Sequence, residues 1–126
     1  MTGVQTCALP ILHDTVLATR DRGLPVWVGG AVSRVAPIVA SADAWNAWGL
    51  EPAALAEAVV RVRAEAPGAE VTWGGVARPG EAGAAGIADR LAPYAELGCS
   101  WAVVASADPL DPANAEIVGE VRRRLG

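Results

Sequence analysis

Apolar positions along the chain alternate between short continuous runs and longer stretches of helical spacing. Residues 24–28 (Leu-Pro-Val-Trp-Val), 70–77 (Glu-Val-Thr-Trp-Gly-Gly-Val-Ala) and 101–105 (Trp-Ala-Val-Val-Ala) are brief runs rich in β-formers, as strands of a buried parallel sheet are. A very short strand at 42–46 runs into a loop that ends at Gly49. Helical spacing predicts elements over 32–41, 51–65, 87–97 and 111–125. The first has Ser33 as a candidate N-cap and Pro37 just beyond its first turn. In the second, Leu55, Val59, Val60 and Val62 share spacing, Pro52 lies near the start, and Pro67-Gly68 marks the stop. Gly98 is placed as a C′ stop for the third, and Asp111-Pro112 as N-cap and N1 for the fourth. Residues 78–86, rich in Gly and Pro, read as a loop. Residues 12–22 read as a connecting segment with at most one short strand.

Strand followed by helix, four times over, predicts an α/β protein with a parallel sheet, because parallel neighbours need crossover helices. Four such units make half of an eight-unit barrel of the TIM type, whose first and last strands would carry unpaired edges. A complete open four-stranded sheet is the alternative.

Composition narrows the class of protein. With 126 residues, 52% of them hydrophobic, and a formal charge of −4, the chain can bury a core of its own. All ten positive charges are Arg, and both Lys and Phe are absent, a bias that GC-rich coding produces. The arginines are scattered apart from Arg122, Arg123 and Arg124, so there is no basic stripe to follow a phosphate backbone, and nucleic acid is not an expected partner. No apolar run approaches the roughly 20 residues of a membrane span. Cys7 and Cys99 fit neither a metal motif nor a disulfide framework, so a reducing, cytoplasmic setting and no metal are expected.

Residues 1–11 (Met-Thr-Gly-Val-Gln-Thr-Cys-Ala-Leu-Pro-Ile) lack the basic n-region and full h-region of a signal peptide. They resemble instead the in-frame translation of a sequencing-adapter oligonucleotide. That resemblance implies a non-native tail at 1–11, a native domain at 12–126, a reading frame opened upstream of Leu12, and no evolved role for Cys7.

The candidate chemistry gathers at strand ends. In Gly29-Gly30-Ala31-Val32-Ser33, small residues close a strand and lead into a helix, an arrangement that brings backbone N–H groups and a helix N-terminus against a phosphate. Ser33 and Arg34 could add a hydroxyl and a cation; the alternative is a tight strand-to-helix turn and nothing more. Asp43 and Trp45 are expected to divide between the interior and the outer packing. Trp45, Asn46 and Trp48 are candidates to edge a ligand pocket, or are core, and Thr72, Trp73 and Gly74 carry the same two readings at another strand end. His13 stands outside these motifs, and Cys99 reads as a small buried filler.

Pro25-Val-Trp-Val-Gly-Gly30, then Ala42-Asp-Ala-Trp-Asn-Ala-Trp-Gly49, and Leu97-Gly-Cys-Ser-Trp-Ala-Val-Val104 together resemble successive strand ends of bacterial-luciferase-like oxidoreductases. The first two, at their separation, are the specific ones; Ala44 stands where that family usually has Gly. The resemblance spans nearly all of residues 24–126. It implies the C-terminal half of a (β/α)8 barrel that moves a hydride through a bound flavin (FMN) or the deazaflavin coenzyme F-420, with a small-molecule substrate and a homo-oligomeric parent. It also implies that Gly29, Gly30, Ala31, Val32 and Ser33 hold the cofactor phosphate, with Asp43 and Trp45 nearby. The substrate's acid-base residues would lie in the N-terminal half, so the catalytic residues are unassigned and this chain alone would be inactive. Two other functions stay open: a phosphate-binding barrel lyase or isomerase, whose chemistry commonly uses a strand-end Lys, which this chain lacks, or a pair of carboxylates, and a non-catalytic α/β binding module.

Overall fold

The computed structural model describes residues 2–126, with side chains described from Pro10 onward. Cys7 therefore lies outside the described side chains. The elements are α1 (Thr2–Asp21), β1 (Trp27–Gly29), α2 (Val32–Val39), β2 (Ala44–Trp48), α3 (Pro52–Glu65), β3 (Glu70–Ala77), α4 (Pro79–Glu96), β4 (Cys99–Ser106) and α5 (Ala113–Leu125).

The four strands form one sheet in the order β1-β2-β3-β4, every pair parallel. Each crossover thus joins adjacent strands, and crossovers of the usual right hand then put every connecting helix on the same face. An open doubly wound sheet would instead reverse its strand order at a switch point. Val28, Trp45, Ala47, Val71 and Trp73 point to the helix side and are buried there with Val35, Val39, Leu55, Val62, Leu91 and Tyr94. Residues of opposite parity face away from the helices. On that face Trp27, Trp48 and Trp101 remain 40%, 55% and 62% exposed, with Val76 and Val103 also open.

A bulge decides the direction of Trp101. Val71 pairs with Cys99 but Thr72 pairs with Trp101, so Ser100 is the extra residue. Its hydroxyl bonds Glu70 Oε2 at 2.7 Å. The insertion reverses the parity of β4, keeping Cys99 against the core and turning Trp101 onto the helix-free face. There it meets Trp27, ring centroids 6.1 Å apart. Three strand spacings separate β1 from β4 by roughly 14 Å in a flat sheet, so the two indoles lean towards one another across β2 and β3.

Two segments depart from the expectations of the sequence. Residues 12–21 belong to a helix that begins at Thr2 and runs to Asp21, with Arg22 in the turn that follows. Of its described residues Val16 is the buried one, and Pro10 stands inside it with no acidic residue in the first turn to announce a start. Thr15 and Thr19 satisfy their hydroxyls on Ile11 O and Thr15 O, removing their competition with the helix. His13 Nε2 lies 3.0 Å from Ser41 Oγ, and Arg20 donates to Ser41 O at 2.7 Å, fastening α1 beside the end of α2.

The second departure is 78–86, which is helical from Pro79 except at Gly83 (φ 67°, ψ 174°). Proline suits the first turn of a helix, and only glycine takes that φ/ψ pair readily, so a short turn and a longer helix meet at a kink. Smaller shifts of boundary also occur. β2 begins at Ala44 and β4 at Cys99, while Ala31 rather than Ser33 caps α2, with no side-chain bond. Among the described residues, no helix is long and apolar enough to cross a membrane.

Candidate functional site at the strand ends

In a parallel sheet every strand delivers its C-terminal end to the same rim, and ligands of parallel α/β proteins bind there. Residues 29–33 lie at the β1 end of this rim. Gly30 (φ +121°) turns the chain out of the strand in a conformation that favours glycine, and a Cβ there would sit tightly at 3.2 Å from Val35 Cγ1. The Ala31 carbonyl accepts from Arg34 N and Val35 N, opening α2 and leaving the Val32 and Ser33 N–H groups at its first turn. Ser33 is exposed within the first turn and Val32 is half-buried. Gly29 is exposed, and a Cβ on it would meet only Asn46 O at 3.8 Å. Open glycine backbone and the amides of the first turn of α2 thus come together at the β1 end of the rim, with Arg34 next in sequence.

Trp45 does not edge this turn from the open side. Its indole is buried on the helix side and donates Nε1–H to Gly30 O at 3.0 Å, which holds the glycine turn from beneath. Asp43 is placed elsewhere altogether. It precedes β2 at the opposite, N-terminal end of the sheet, where its carboxylate accepts from Val26 N at 2.7 Å and pairs with Arg20 at 3.2 Å. Asp43 lies just outside β2, so strand alternation does not place it; it borders the helix-free side beside Trp27, whereas Trp45 packs on the helix side.

Trp48 and Asn46 do face the helix-free side at the β2 end. The Trp48 ring lies over Gly74, where an added Cβ would come within 2.4 Å of it, so this glycine makes room for the indole. Asn46 Nδ2 donates to the fully buried Thr72 Oγ1 at 2.8 Å. Thr72, Trp73 and Gly74 are not at a strand end but inside β3. Trp73 points to the helix side, stacks on Tyr94 with centroids 4.4 Å apart, and donates to Leu50 O at 2.9 Å. Tyr94 donates to the same carbonyl at 2.9 Å, and Arg90 lies 5.4 Å from the Trp73 ring centre. Burial, aided by the charge of Glu51, pushes the Tyr94 hydroxyl above its ordinary value against the opposing pull of Arg90. Burial likewise raises the Cys99 thiol, with Arg63 pulling the other way, so this cysteine is a poor thiolate source.

A second feature of the rim was not singled out in the sequence. Arg78, Gly80, Glu81, Asp108, Asp111 and Asn114 line a cleft of about 220 Å³ at the ends of β3 and β4. Asn114 shapes one wall by donating to Ser106 Oγ at 2.8 Å and to Asp108 O. Three carboxylates against one guanidinium make it less suited to an anion than the glycine turn at β1. The only signal in the sequence was Arg78-Pro79-Gly80 immediately after a strand, which read as loop because the helix it starts breaks again at Gly83. Among the described residues no group of three His, Cys, Asp or Glu side chains could hold a metal ion.

The fold and rim define the chain as an α/β protein of consecutive βα units on a parallel sheet. Comparison of the chain with protein-family models gives no match, and comparison with curated proteins gives none either.

Proposed function

We propose that this chain is the C-terminal half of a luciferase-like (β/α)8 barrel, a cytoplasmic oxidoreductase that binds FMN or a deazaflavin and holds its phosphate at Gly29, Gly30, Ala31, Val32 and Ser33. The observation that carries this reading is the naked aromatic face of a sheet in consecutive order. All-parallel sheets are covered on both faces, and a sheet with helices on one side and Trp27, Trp48 and Trp101 on the other has the form of a barrel wall, its bare side inward. The glycine turn at the β1 end adds a phosphate cradle at the rim where barrels bind ligands.

The cofactor, when bound, supplies the hydride chemistry. This chain's own residues anchor and orient. The Val32 and Ser33 amides and Arg34 hold the phosphate, Trp45 fixes the turn through Gly30, and Trp48 stands at the rim as an apolar wall. The acid-base groups for the substrate belong to the other half of the barrel, so this chain alone binds weakly and turns nothing over.

The test is a titration of ¹⁵N-labelled protein followed by amide chemical shifts. FMN and inorganic phosphate are expected to move the amides of residues 29–34, while riboflavin, which lacks the phosphate, leaves them in place. Shifts confined to the Arg78–Asp108 cleft, or equal responses to riboflavin and FMN, would sink the assignment.

A further inference from the structure

Asn46 lies at the centre of β2 on the helix-free face, level with Gly29 of β1 and Thr72 of β3. Its amide is held in one orientation. The fully buried Thr72 hydroxyl has a single hydrogen, which it directs at the Trp45 carbonyl 3.4 Å away, so towards Asn46 it serves as an acceptor. Asn46 Nδ2 donates to it at 2.8 Å. The carbonyl half of the amide points instead towards the strand C-termini, where a Cβ on Gly74 would lie 3.2 Å from Oδ1. Among the described residues no side chain donates to that oxygen.

We propose that Asn46 Oδ1 accepts a hydrogen bond from a hydroxyl of the ribityl chain of the bound cofactor, with Thr72 as the positioning residue that fixes the amide. This inference rests on the phosphate assignment at Gly29 to Ser33. In the closed barrel of that reading the helix-free face is the inner wall. An acceptor enclosed there without a donor is costly, and Gly29, the neighbour at the same level on β1, has no side chain to supply one. Position along the sheet selects the part of the cofactor that meets Asn46. Neighbouring strands are about 4.8 Å apart, so Asn46 stands one strand spacing from the β1 end where the phosphate is held. In FMN and in the deazaflavin coenzyme alike, the group adjoining the phosphate is the hydroxyl-bearing ribityl chain, and the ring lies beyond it. A hydroxyl supplies the donor that a fixed carbonyl requires; a hydrocarbon chain of the same length leaves the carbonyl unpaired.

The full chain, ¹⁵N-labelled, is titrated with ribitol 5-phosphate, with n-pentyl phosphate as the chain without hydroxyls, and with inorganic phosphate. Amides 29–34 report the phosphate and the Asn46 side-chain NH₂ reports the polyol. Ribitol 5-phosphate is expected to bind about threefold to tenfold tighter than n-pentyl phosphate, the range of one neutral hydrogen bond, and to shift the Asn46 NH₂ signals. Asn46→Leu should erase that preference while leaving the affinity for inorganic phosphate unchanged. Thr72→Val should reduce the preference and Thr72→Ser should retain it. Melting curves check that each variant folds; should Asn46→Leu fail to fold, the Thr72 pair decides. If amides 29–34 do not respond to inorganic phosphate, the phosphate assignment falls and this inference with it. If they respond but the wild type binds both phosphate esters alike, or folded Asn46→Leu keeps the preference, this inference alone is overturned.

Discussion

Gly74 and Gly75 stand next to each other in β3, yet they meet different consequences if given a methyl group. A Cβ on Gly74 would fall within 2.4 Å of the Trp48 ring, and a Cβ on Gly75 within 2.4 Å of the Trp73 ring. Trp48 is largely exposed and free to swing away, whereas Trp73 is buried between Gly75 and Tyr94 and bonded to Leu50 O. Backbone entropy alone favours alanine over glycine within a strand by roughly 0.5–1 kcal/mol. We therefore expect Gly74→Ala to change stability by less than about 1 kcal/mol, and Gly75→Ala to cost roughly 1–3 kcal/mol by overpacking. Urea midpoints of the two variants measure the difference, and equal values would contradict the placement of the two rings. The identities of these residues were plain in the sequence, but their sides were not. Strand alternation says that Trp73 and Trp48 oppose one another across the sheet only once the register Trp48↔Gly74 is known. The Gly29–Ser33 turn could be read from its neighbours in sequence; the role of Trp45 beneath it, and the displacement of Asp43 to the far end, required contacts between strands.

Element by element, legibility followed the start and stop signals around each segment more than its burial, since the largely exposed β4 and α5 were also read. β3 occupies residues 70–77 as read, and α3 differs from its expected start by one residue. Both are flanked by strong stop signals and contribute several core residues. α1 escaped because it has no acidic first turn and carries Pro10 in its interior, and the first turn of α4 escaped because Pro79, Gly80 and Gly83 together resemble a loop. The attachment of α4 to the sheet provides a pH test. The Tyr94 hydroxyl titrates above its ordinary value of 10.0 in the folded chain, chiefly through burial. The unfolded chain then loses this proton first, so Tyr94 contributes stability that is intact below about pH 10 and is lost as the pH climbs through the folded value. Denaturant midpoints of the wild type should fall between about pH 9 and 11 more steeply than those of Tyr94→Phe. Parallel slopes would show that Tyr94 titrates as a free phenol.

For the molecule as a whole, the rhythm of strands and helices announced a parallel sheet, but not the order of its strands. Order depends on which neighbour each crossover reaches, and that is fixed by packing between helices distant in sequence. The consecutive order leaves one face bare and divides the five tryptophans into Trp45 and Trp73, each 1% exposed, and Trp27, Trp48 and Trp101 on the open side. Acrylamide quenching of the monomeric chain should therefore give a downward-curving Stern–Volmer plot with an accessible and a shielded population. A straight plot would mean that the bare face is covered in solution. One further feature governs how this molecule comes apart. The Leu50 carbonyl accepts both the Trp73 indole and the Tyr94 hydroxyl, so a single loop oxygen joins β3 and α4 to the connection between β2 and α3. Lifting α4 away exposes that oxygen, unstacks Trp73 and loosens the entry to α3 in the same event. These segments should therefore open as one cooperative unit, with a free energy close to that of global unfolding, while α1, whose described ties are Val16, the bonds to Ser41 and the Arg20–Asp43 pair, can fray alone.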